Sequence, residues 1–186
     1  MEKKPKILAR RTIYESEWLR VHADRVEFPA GRIVEAHHCV EFPKSGVGAI
    51  VTNEAGDLLL IRSYRYIFDS VEWEIPAGSF ESDEPVLAAA EREALEETGY
   101  QTTGHRLAYT YYPMTGMCRS VFYLVTCRAA AHSGTFDANE VHSVAWKTRS
   151  EILRMLERGE IRDGFSLTGV FLYLTGADFR AEEGKR

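Results

Sequence analysis

Strand-forming segments joined by short turns dominate the chain, and this pattern constrains its fold more than any other feature. Apolar side chains recur among polar ones over Trp18–Phe28 and again over Ile33–Phe42, with a Pro-Ala-Gly turn between the two segments. A hairpin is predicted over 48–64, around an Asn-Glu-Ala-Gly turn. Further strands are predicted over 73–75, 107–112, 119–127 and 141–146. Helix patterns lie between these strands, so we expect an α/β fold in which helices pack on a mixed sheet.

Length and composition bound the class of protein. The 186 residues suffice for one domain with a small extension, and a hydrophobic fraction of 45% argues against disorder. The net charge of −5 leaves no basic footprint for nucleic acid, and no apolar run is long enough to cross a bilayer. Three cysteines, an odd number, favour a reducing compartment. We therefore expect a cytoplasmic protein that binds neither nucleic acid nor membrane, and that needs local cations or a metal ion to receive an anionic substrate.

One predicted helix is bracketed by start and stop signals. Ser82 or Asp83 is expected to cap its N-terminus, Pro85 suits its first turn, and Gly99 suits its C-terminal stop. Two later helices are predicted over 150–158 and 166–174, the second with a weak point at Gly169. The first of the three helices carries the side chains that are chemically informative.

Carboxylates are concentrated on one face of that helix. Glu93, Glu96 and Glu97 are separated by three and four residues, so they share a face near the C-terminal end. Like charges repel at this spacing, and the helix dipole disfavours anions there. A hard cation such as Mg²⁺ would reverse this balance. The plainer alternative is a solvated charged face on which Arg92 and Glu96 form an ordinary i,i+4 pair.

The carboxylates belong to a longer motif of fixed spacing. Gly78 is followed after five residues by Glu84, and after seven more by the run Arg-Glu-Ala-Leu-Glu-Glu-Thr-Gly-Tyr over 92–100. This spacing resembles the signature of the Nudix hydrolase family, G-x5-E-x7-R-E-U-x-E-E-x-G-U, in which U is a bulky aliphatic residue. Ala94 and Tyr100 depart from it at the two U positions. We expect Gly78 to end a tight loop where backbone carbonyls approach a metal, and Arg92 to orient a neighbouring glutamate.

The resemblance implies a fold and a chemistry. The fold is an α/β/α sandwich with a mixed sheet, and the reaction is hydrolysis of a nucleoside diphosphate linked to another moiety. Glu93 and Glu97 would be the principal ligands of Mg²⁺, with Mn²⁺ as the alternative ion. Glu96 would assist, Glu84 would be peripheral, and the carbonyl of Ala77 would join them. A metal ion there would neutralise the pyrophosphate oxygens, activate water and stabilise the leaving phosphate.

Three further segments resemble the ADP-ribose and nucleotide-sugar pyrophosphatases of that family. Trp73–Gly78 resembles the E-[LI]-P-A-G entry to the motif, and Arg62–Tyr66 resembles a Q-Y-R segment with Ser63 in place of Gln. Tyr112–Gly116 resembles the proline segment after the motif, with Met-Thr where S-P-G is common. The implied products are a nucleoside monophosphate and a sugar phosphate. GDP-mannose or another nucleotide sugar, an 8-oxo-nucleoside triphosphate, and a non-catalytic ligand sensor remain alternatives.

Candidate substrate-binding residues lie outside the helix. Arg65 and Arg62 are suited to bidentate phosphate binding, and Arg65 matches the family pattern better because strand alternation turns Arg62 to the other face. Glu74 is a third candidate, from the E-I-P-A-G segment. Trp18 and Phe28 are candidates for contact with the base near a subunit interface.

The resemblance also suggests a domain division and a general base. Residues 1–43 form a strand-rich extension, 44–180 the Nudix domain and 181–186 a tail. Pairing between subunits would hide the edges of the extension, so we expect a homodimer. Glu140, at the end of the loop 134–140, is the predicted general base, and Asp137 is its rival.

Overall fold

The computed structural model describes residues 3–176, which contain two compact units. Residues up to Ser45 together with Tyr112–Val121 form the first unit, and Gly46–Tyr111 with the residues from Phe122 onward form the second. In chain order the elements are β1 Lys6–Glu15, β2 Arg20–Glu27, β3 Ile33–Glu41, β4 Ser45–Thr52, β5 Leu58–Arg65, β6 Ser70–Glu74, β7 Ala77–Phe80, α1 Val86–Thr98, β8 Tyr100–Tyr111, β9 Cys118–Arg119, β10 Phe122–His132, β11 Ser143–Lys147, α2 Arg149–Glu157 and α3 Gly164–Thr175.

The first unit is built on a sheet with the order β1-β2-β3-β9. Successive strands of the N-terminal meander pair antiparallel, whereas β9 pairs parallel with β3. The predicted turn between β2 and β3 is present: Gly31 has φ +84° and donates its N–H to the carbonyl of Phe28 at 2.8 Å. The strand-rich N-terminal extension expected from the sequence is thereby confirmed.

The second unit is an α/β/α sandwich around a mixed sheet. Its strand order is β11-β5-β4-β10-β8, with β6 on β5 and β7 on β4, and β10 runs parallel to β4. Alternate residues of the central strand face opposite layers, because Val47 and Val51 pack with α1 whereas Ile50 packs with α2 and α3. The strand is therefore buried on both faces, as expected for the middle of such a sandwich. The predicted fold class is confirmed.

Three local predictions are wrong. Pro85 occupies the N-cap of α1 and no side chain caps that end, so neither Ser82 nor Asp83 does. The predicted strand 119–127 is divided: Cys118–Arg119 pairs with β3 in the first unit, and the chain resumes as β10 at Phe122 in the second. Gly78 lies within the short strand β7 rather than at the end of a loop.

The predicted stop of α1 is confirmed, whereas the strand predicted over 107–112 begins earlier, at Tyr100, and some residues lie outside the described range. Gly99 ends α1 with φ 72° and donates its N–H to the carbonyl of Leu95, as its position in the sequence predicts. None of the helices in residues 3–176 is long and apolar enough to span a bilayer. The predicted tail 181–186 and residues 177–180 of the predicted Nudix domain lie outside the described residues.

Candidate active site

The motif's first glycine makes room for a carboxylate of α1. A Cβ at Gly78 would lie 2.2 Å from Oε1 of Glu93, closer than real Cβ contacts allow. The short strand β7 therefore brings bare backbone against the Glu93 side chain, which is itself buried. Only glycine permits this approach without moving the carboxylate.

Glu97 is held by the preceding residue of the same strand, Ala77. Its Oε2 accepts a hydrogen bond of 2.7 Å from the backbone N–H of Ala77, and its side chain is buried. Burial raises the pKa of Glu97 to about 8, and the neighbouring carboxylates of Glu93 and Glu140 push it in the same direction. The structure thus places Ala77 beside a predicted metal ligand, which the Ala77 amide contacts directly.

Glu93 experiences a similar electrostatic environment. Burial raises its pKa, the hydrogen bond from Arg92 opposes that shift, and the charges of Glu96 and Glu140 add to it. The two buried glutamates and Glu140 therefore act on one another electrostatically.

Arg92 connects the predicted peripheral glutamate to the helix face. Its Nε and Nη2 bind the two carboxylate oxygens of Glu84 at 2.9 and 3.0 Å. Its Nη1 donates to Glu93 at 2.8 Å and to Glu96 at 3.1 Å. One guanidinium thus holds three glutamates of the motif in place.

The donor set suits a hard divalent cation. Glu93, Glu96 and Glu97 offer carboxylate oxygens, the ligands that Mg²⁺ prefers. A cation beside them would favour the ionised forms that burial disfavours. Within residues 3–176 no three Asp, Glu, His or Cys side chains already stand as a metal cage. Arg92 engages two of these glutamates, so metal binding requires those side chains to adjust.

Arg65 lies close to this carboxylate cluster. It forms a two-pronged ion pair with the buried Glu74, with Nε 2.8 Å from Oε1. Its positive charge opposes the rise in the pKa of Glu97. About half of the Arg65 side chain is exposed, so its guanidinium remains accessible to a substrate.

The other predicted substrate residues are placed elsewhere. The guanidinium of Arg62 lies 5.3 Å from the ring centre of Trp73, and its buried Nε has no hydrogen-bond partner within residues 3–176. Trp18 and Phe28 belong to the first unit, where Trp18 is exposed and Phe28 is stacked with Arg32. Their roles stay predictions.

Glu140 and Asp137 have different surroundings. The carboxylate of Glu140 influences both buried glutamates of α1, as described above. Oδ1 of Asp137 instead accepts two bonds of 2.8 Å from Asn139, so this side chain is committed to a local turn. Of the two acids, Glu140 is the one whose charge acts on the buried glutamates of α1.

A second acidic position on β6 was missed from the sequence. Glu72 is buried beside Arg162, with Nε of the arginine 2.9 Å from Oε2. Glu72 and Glu74 lie two residues apart on one face of β6, and each is paired with an arginine. Glu72 stands one residue before the predicted strand 73–75, so the Glu-x-Glu spacing that extends this strand was the available signal. These residues, with Arg65, line a cavity of about 520 Å³.

Two family models match the chain in succession. The NUDIX domain matches residues 42–165, and the nucleoside diphosphate sugar hydrolase N-terminal domain matches residues 6–40. The chain belongs to the Nudix hydrolase family. Nudix hydrolases act on small nucleotide substrates with a divalent metal ion, and the site described above is where this chain carries the family's signature.

Relatives of this Nudix hydrolase cover nearly its whole length. It is 30% identical to the CMP-5'-(N-acetyl-N-hydroxy-3-aminopropyl)phosphonate hydrolase of Streptomyces rubellomurinus, over 94% of this chain and 84% of the relative. It is 23% identical to the ADP-ribose pyrophosphatase of Bacillus subtilis, over 85% and 86%. A crystal structure of an ADP compounds hydrolase shares its fold, with a TM-score of 0.81, 22% identity and coverage of 94% of this chain and 96% of that one.

Proposed function

We propose that this Nudix hydrolase cleaves the pyrophosphate bond of ADP-ribose or a related nucleoside diphosphate sugar, giving a nucleoside monophosphate and a sugar phosphate. The observation that carries the proposal is the burial of two motif glutamates against β7: Glu93 lies on the bare backbone of Gly78, and Glu97 accepts a hydrogen bond from the amide of Ala77. The curated ADP-ribose pyrophosphatases among its relatives, and the N-terminal domain match, support a nucleotide-sugar substrate.

Glu93, Glu96 and Glu97 would hold Mg²⁺. When bound, the cation supplies charge neutralisation at the pyrophosphate and lowers the pKa of the attacking water. Arg92 restricts the rotation of two of these glutamates and so limits their geometry. Mn²⁺ has the same preference for oxygen ligands and would serve as a substitute.

Arg65 would bind a substrate phosphate. The buried Glu74 fixes the guanidinium of Arg65. The N–H groups that do not bind Glu74 therefore point in one fixed direction and can bind a phosphate. Because its charge already acts on Glu97, a phosphate bound by Arg65 lies next to the proposed metal ligands.

Glu140 would act as the general base. A carboxylate that faces the metal ligands can accept the proton of the attacking water as it approaches phosphorus. The loop that carries Glu140 is exposed along most of its length, which leaves this group accessible to a substrate and to water.

A CMP-linked compound is the second candidate substrate. The relative with 30% identity is a CMP-phosphonate hydrolase, and it covers more of this chain than the ADP-ribose pyrophosphatases do. The base is therefore the least determined part of the substrate, and GDP-mannose belongs in the same test.

The deciding experiment is turnover of a substrate panel, with products separated by chromatography. The panel contains ADP-ribose, GDP-mannose, a CMP-linked compound and 8-oxo-nucleoside triphosphates, each with Mg²⁺, with Mn²⁺ or with EDTA. We expect metal-dependent release of a nucleoside monophosphate from ADP-ribose or another nucleotide sugar. Turnover of triphosphates alone would contradict the proposal. Tight binding of a nucleotide sugar without turnover would indicate a ligand sensor.

We further propose a cytoplasmic homodimer in which the N-terminal unit supplies contacts to the base. β1 is the edge strand of its sheet and is exposed along its whole length, which suits pairing with a second copy. Light scattering at micromolar concentration tests this state. A monomer with full activity would contradict it, and substitution of Trp18 or Phe28 by Ala should raise KM for the preferred substrate.

A further inference from the structure

The loop that carries Glu140 is docked on the C-terminal end of α1. This loop, residues 133–142, joins β10 to β11. The backbone N–H of Ser133 donates to the carbonyl of Gly99 at 2.8 Å, and that of Asp137 donates to the carbonyl of Glu96 at 2.9 Å. The last carbonyls of a helix have no partners within it, so the loop satisfies groups that α1 leaves open. Glu96 thus contributes its carboxylate to the site and its carbonyl to the loop.

Gly99 permits this docking by its lack of a side chain. With φ at +72°, a Cβ at Gly99 would lie 2.3 Å from the carbonyl oxygen of Thr135. The residue that ends α1 is therefore also the surface on which the loop rests.

One aromatic side chain in the first part of the loop is partly withdrawn from water. Over residues 131–140 every residue is exposed except Phe136, which is partly buried. Phe136 lines a cavity of about 340 Å³ together with Tyr100, His132 and Trp146. We call these three residues the aromatic socket.

The aromatic socket is itself firmly built. Trp146 donates its indole N–H to the Tyr100 hydroxyl at 3.0 Å, and their rings meet edge to face at 5.2 Å. The Tyr100 and His132 rings lie 4.3 Å apart. Tyr100 immediately follows the helix stop, His132 ends β10 and Trp146 lies on β11, so the socket joins three elements that surround the loop.

Glu140 lies between two fixed points of this loop. Asp137, next to Phe136, is tied to α1 through its amide. Val141 is buried, and its N–H donates to the carbonyl of Asp137 at 2.9 Å. The three-residue span between them can hold the Glu140 carboxylate toward Glu93 and Glu97 only while Asp137 stays in place.

We propose that Phe136 is a positioning residue: its ring packs toward the aromatic socket across the cavity they share, keeps the loop on α1 and so holds Glu140 toward Glu93 and Glu97. This inference rests on the proposed role of Glu140 as the general base. Phe136 touches no reacting atom. Exposed backbone hydrogen bonds compete with water, whereas an apolar ring withdrawn from water does not, so loss of the ring should weaken the docking of the loop.

A kinetic double-mutant cycle tests the inference. The wild type, Phe136→Ala, Glu140→Gln and the double variant are compared on whichever panel substrate the wild type hydrolyses. We expect Phe136→Ala to lower kcat by about 10- to 100-fold, with KM changed less than about two-fold. Glu140→Gln should then cost much less in the Phe136→Ala background than in the wild type, because the base is already misplaced. Phe136→Leu should restore most of kcat. Independent, multiplicative effects would overturn the proposal.

Amide hydrogen exchange gives a readout that is independent of turnover. We expect the amides of Asp137 and Val141 to exchange at least about 10-fold faster in Phe136→Ala than in the wild type, and at the wild-type rate in Glu140→Gln. Phe171→Ala removes an exposed ring on α3 and is the matched control, with no change at the loop. Unchanged exchange in Phe136→Ala would overturn the proposal.

The outcomes separate this inference from the function on which it rests. If the wild-type protein hydrolyses another nucleotide but no nucleotide sugar, the proposed substrate is refuted. The double-mutant cycle and the exchange rates then still decide the role of Phe136. Wild-type turnover by Glu140→Gln refutes the general base, and with it the reason to position Glu140.

Discussion

The carboxylate of Glu93 lies so close to residue 78 that only glycine fits there: a Cβ at Gly78 would lie 2.2 Å from Oε1 of Glu93. The same oxygen accepts a bond of 2.8 Å from Arg92. The carboxylate is therefore confined between bare backbone on one side and a guanidinium on the other. Any side chain at residue 78 has to displace it.

Gly78→Ala should impair catalysis more than stability. The atoms that Cβ would meet are the end of a flexible side chain, so Glu93 can swing away and the fold can persist. Displacement of this proposed metal ligand is expected to lower kcat about 10²-fold. Gly164→Ala is the control, because a Cβ there meets nothing within 4 Å. Steady-state kinetics and thermal melting check this, and an active Gly78→Ala would show that Glu93 needs no fixed position.

Glu97→Gln should separate metal chemistry from folding. The amide keeps the shape of the side chain but loses the anionic ligand, and metal-assisted stabilisation contributes several kcal/mol to such reactions. We expect kcat to fall at least about 10²-fold with the melting temperature of the metal-free protein nearly unchanged. Glu91→Gln changes an exposed carboxylate on the same helix and should turn over normally. Turnover near the wild-type level at saturating Mg²⁺ would exclude Glu97 as a ligand.

The helix and its glycine stop were predictable because their signals are local. Spacing alone places Glu93, Glu96 and Glu97 on one face of α1, and the left-handed conformation at Gly99 follows from its position after the last helical turn. The N-terminal cap was wrong because Pro85 fixes the chain at that point and no acidic or hydroxyl side chain turns back to the helix.

Contacts between distant segments were not predictable from spacing. Phe136 is one apolar residue in an exposed loop. The residues of its aromatic socket are distant in the chain: Tyr100 lies 36 residues before Phe136 and Trp146 lies 10 residues after it. The division of 119–127 between two units has the same cause, because strand pairing with β3 and β4 decides it and apolar alternation does not.

Acid stability should depend on the buried pair of Glu72 and Arg162. Hydrogen bonds from Arg162 and then Ser70 hold the pKa of Glu72 below its ordinary value of 4.5. A carboxyl whose pKa is lower in the folded state contributes stability that is complete above its unfolded pKa and is lost as the pH falls through the folded one.

We therefore expect Arg162→Ala to move the midpoint of acid unfolding to higher pH, because without the arginine Glu72 is protonated at a higher pH. Arg158→Ala breaks an exposed pair with Glu160, 3.6 Å long, and should leave the midpoint unchanged. Circular dichroism between pH 2 and 6, a range chosen to bracket the ordinary carboxyl pKa, measures both. Identical acid midpoints for Arg162→Ala and wild type would contradict the prediction.

The core contains a glycine whose replacement sets two effects against each other. Gly169, on α3, is buried, and a Cβ there would lie 2.8 Å from Cδ1 of Ile75. Alanine in a helix interior gains about 1 kcal/mol over glycine. Overpacking of a buried site costs about 1–3 kcal/mol. Because Cδ1 of Ile75 is equally close to a Cβ at Gly48, it has little room to move, and the overpacking term should win.

Gly169→Ala should thus destabilise the protein by up to about 2 kcal/mol, the difference of those two terms. Ile75→Val removes the obstructing Cδ1 and alone should cost about 0.5–1.5 kcal/mol. Combined, the two changes should cost less than their sum, because the new methyl group occupies the space that Cδ1 leaves. Urea unfolding of the four proteins measures the coupling. Additive losses of unfolding free energy would contradict the prediction. They would show that α3 shifts as a whole away from Ile75, and that the clash with Cδ1 is not the cause of the destabilisation.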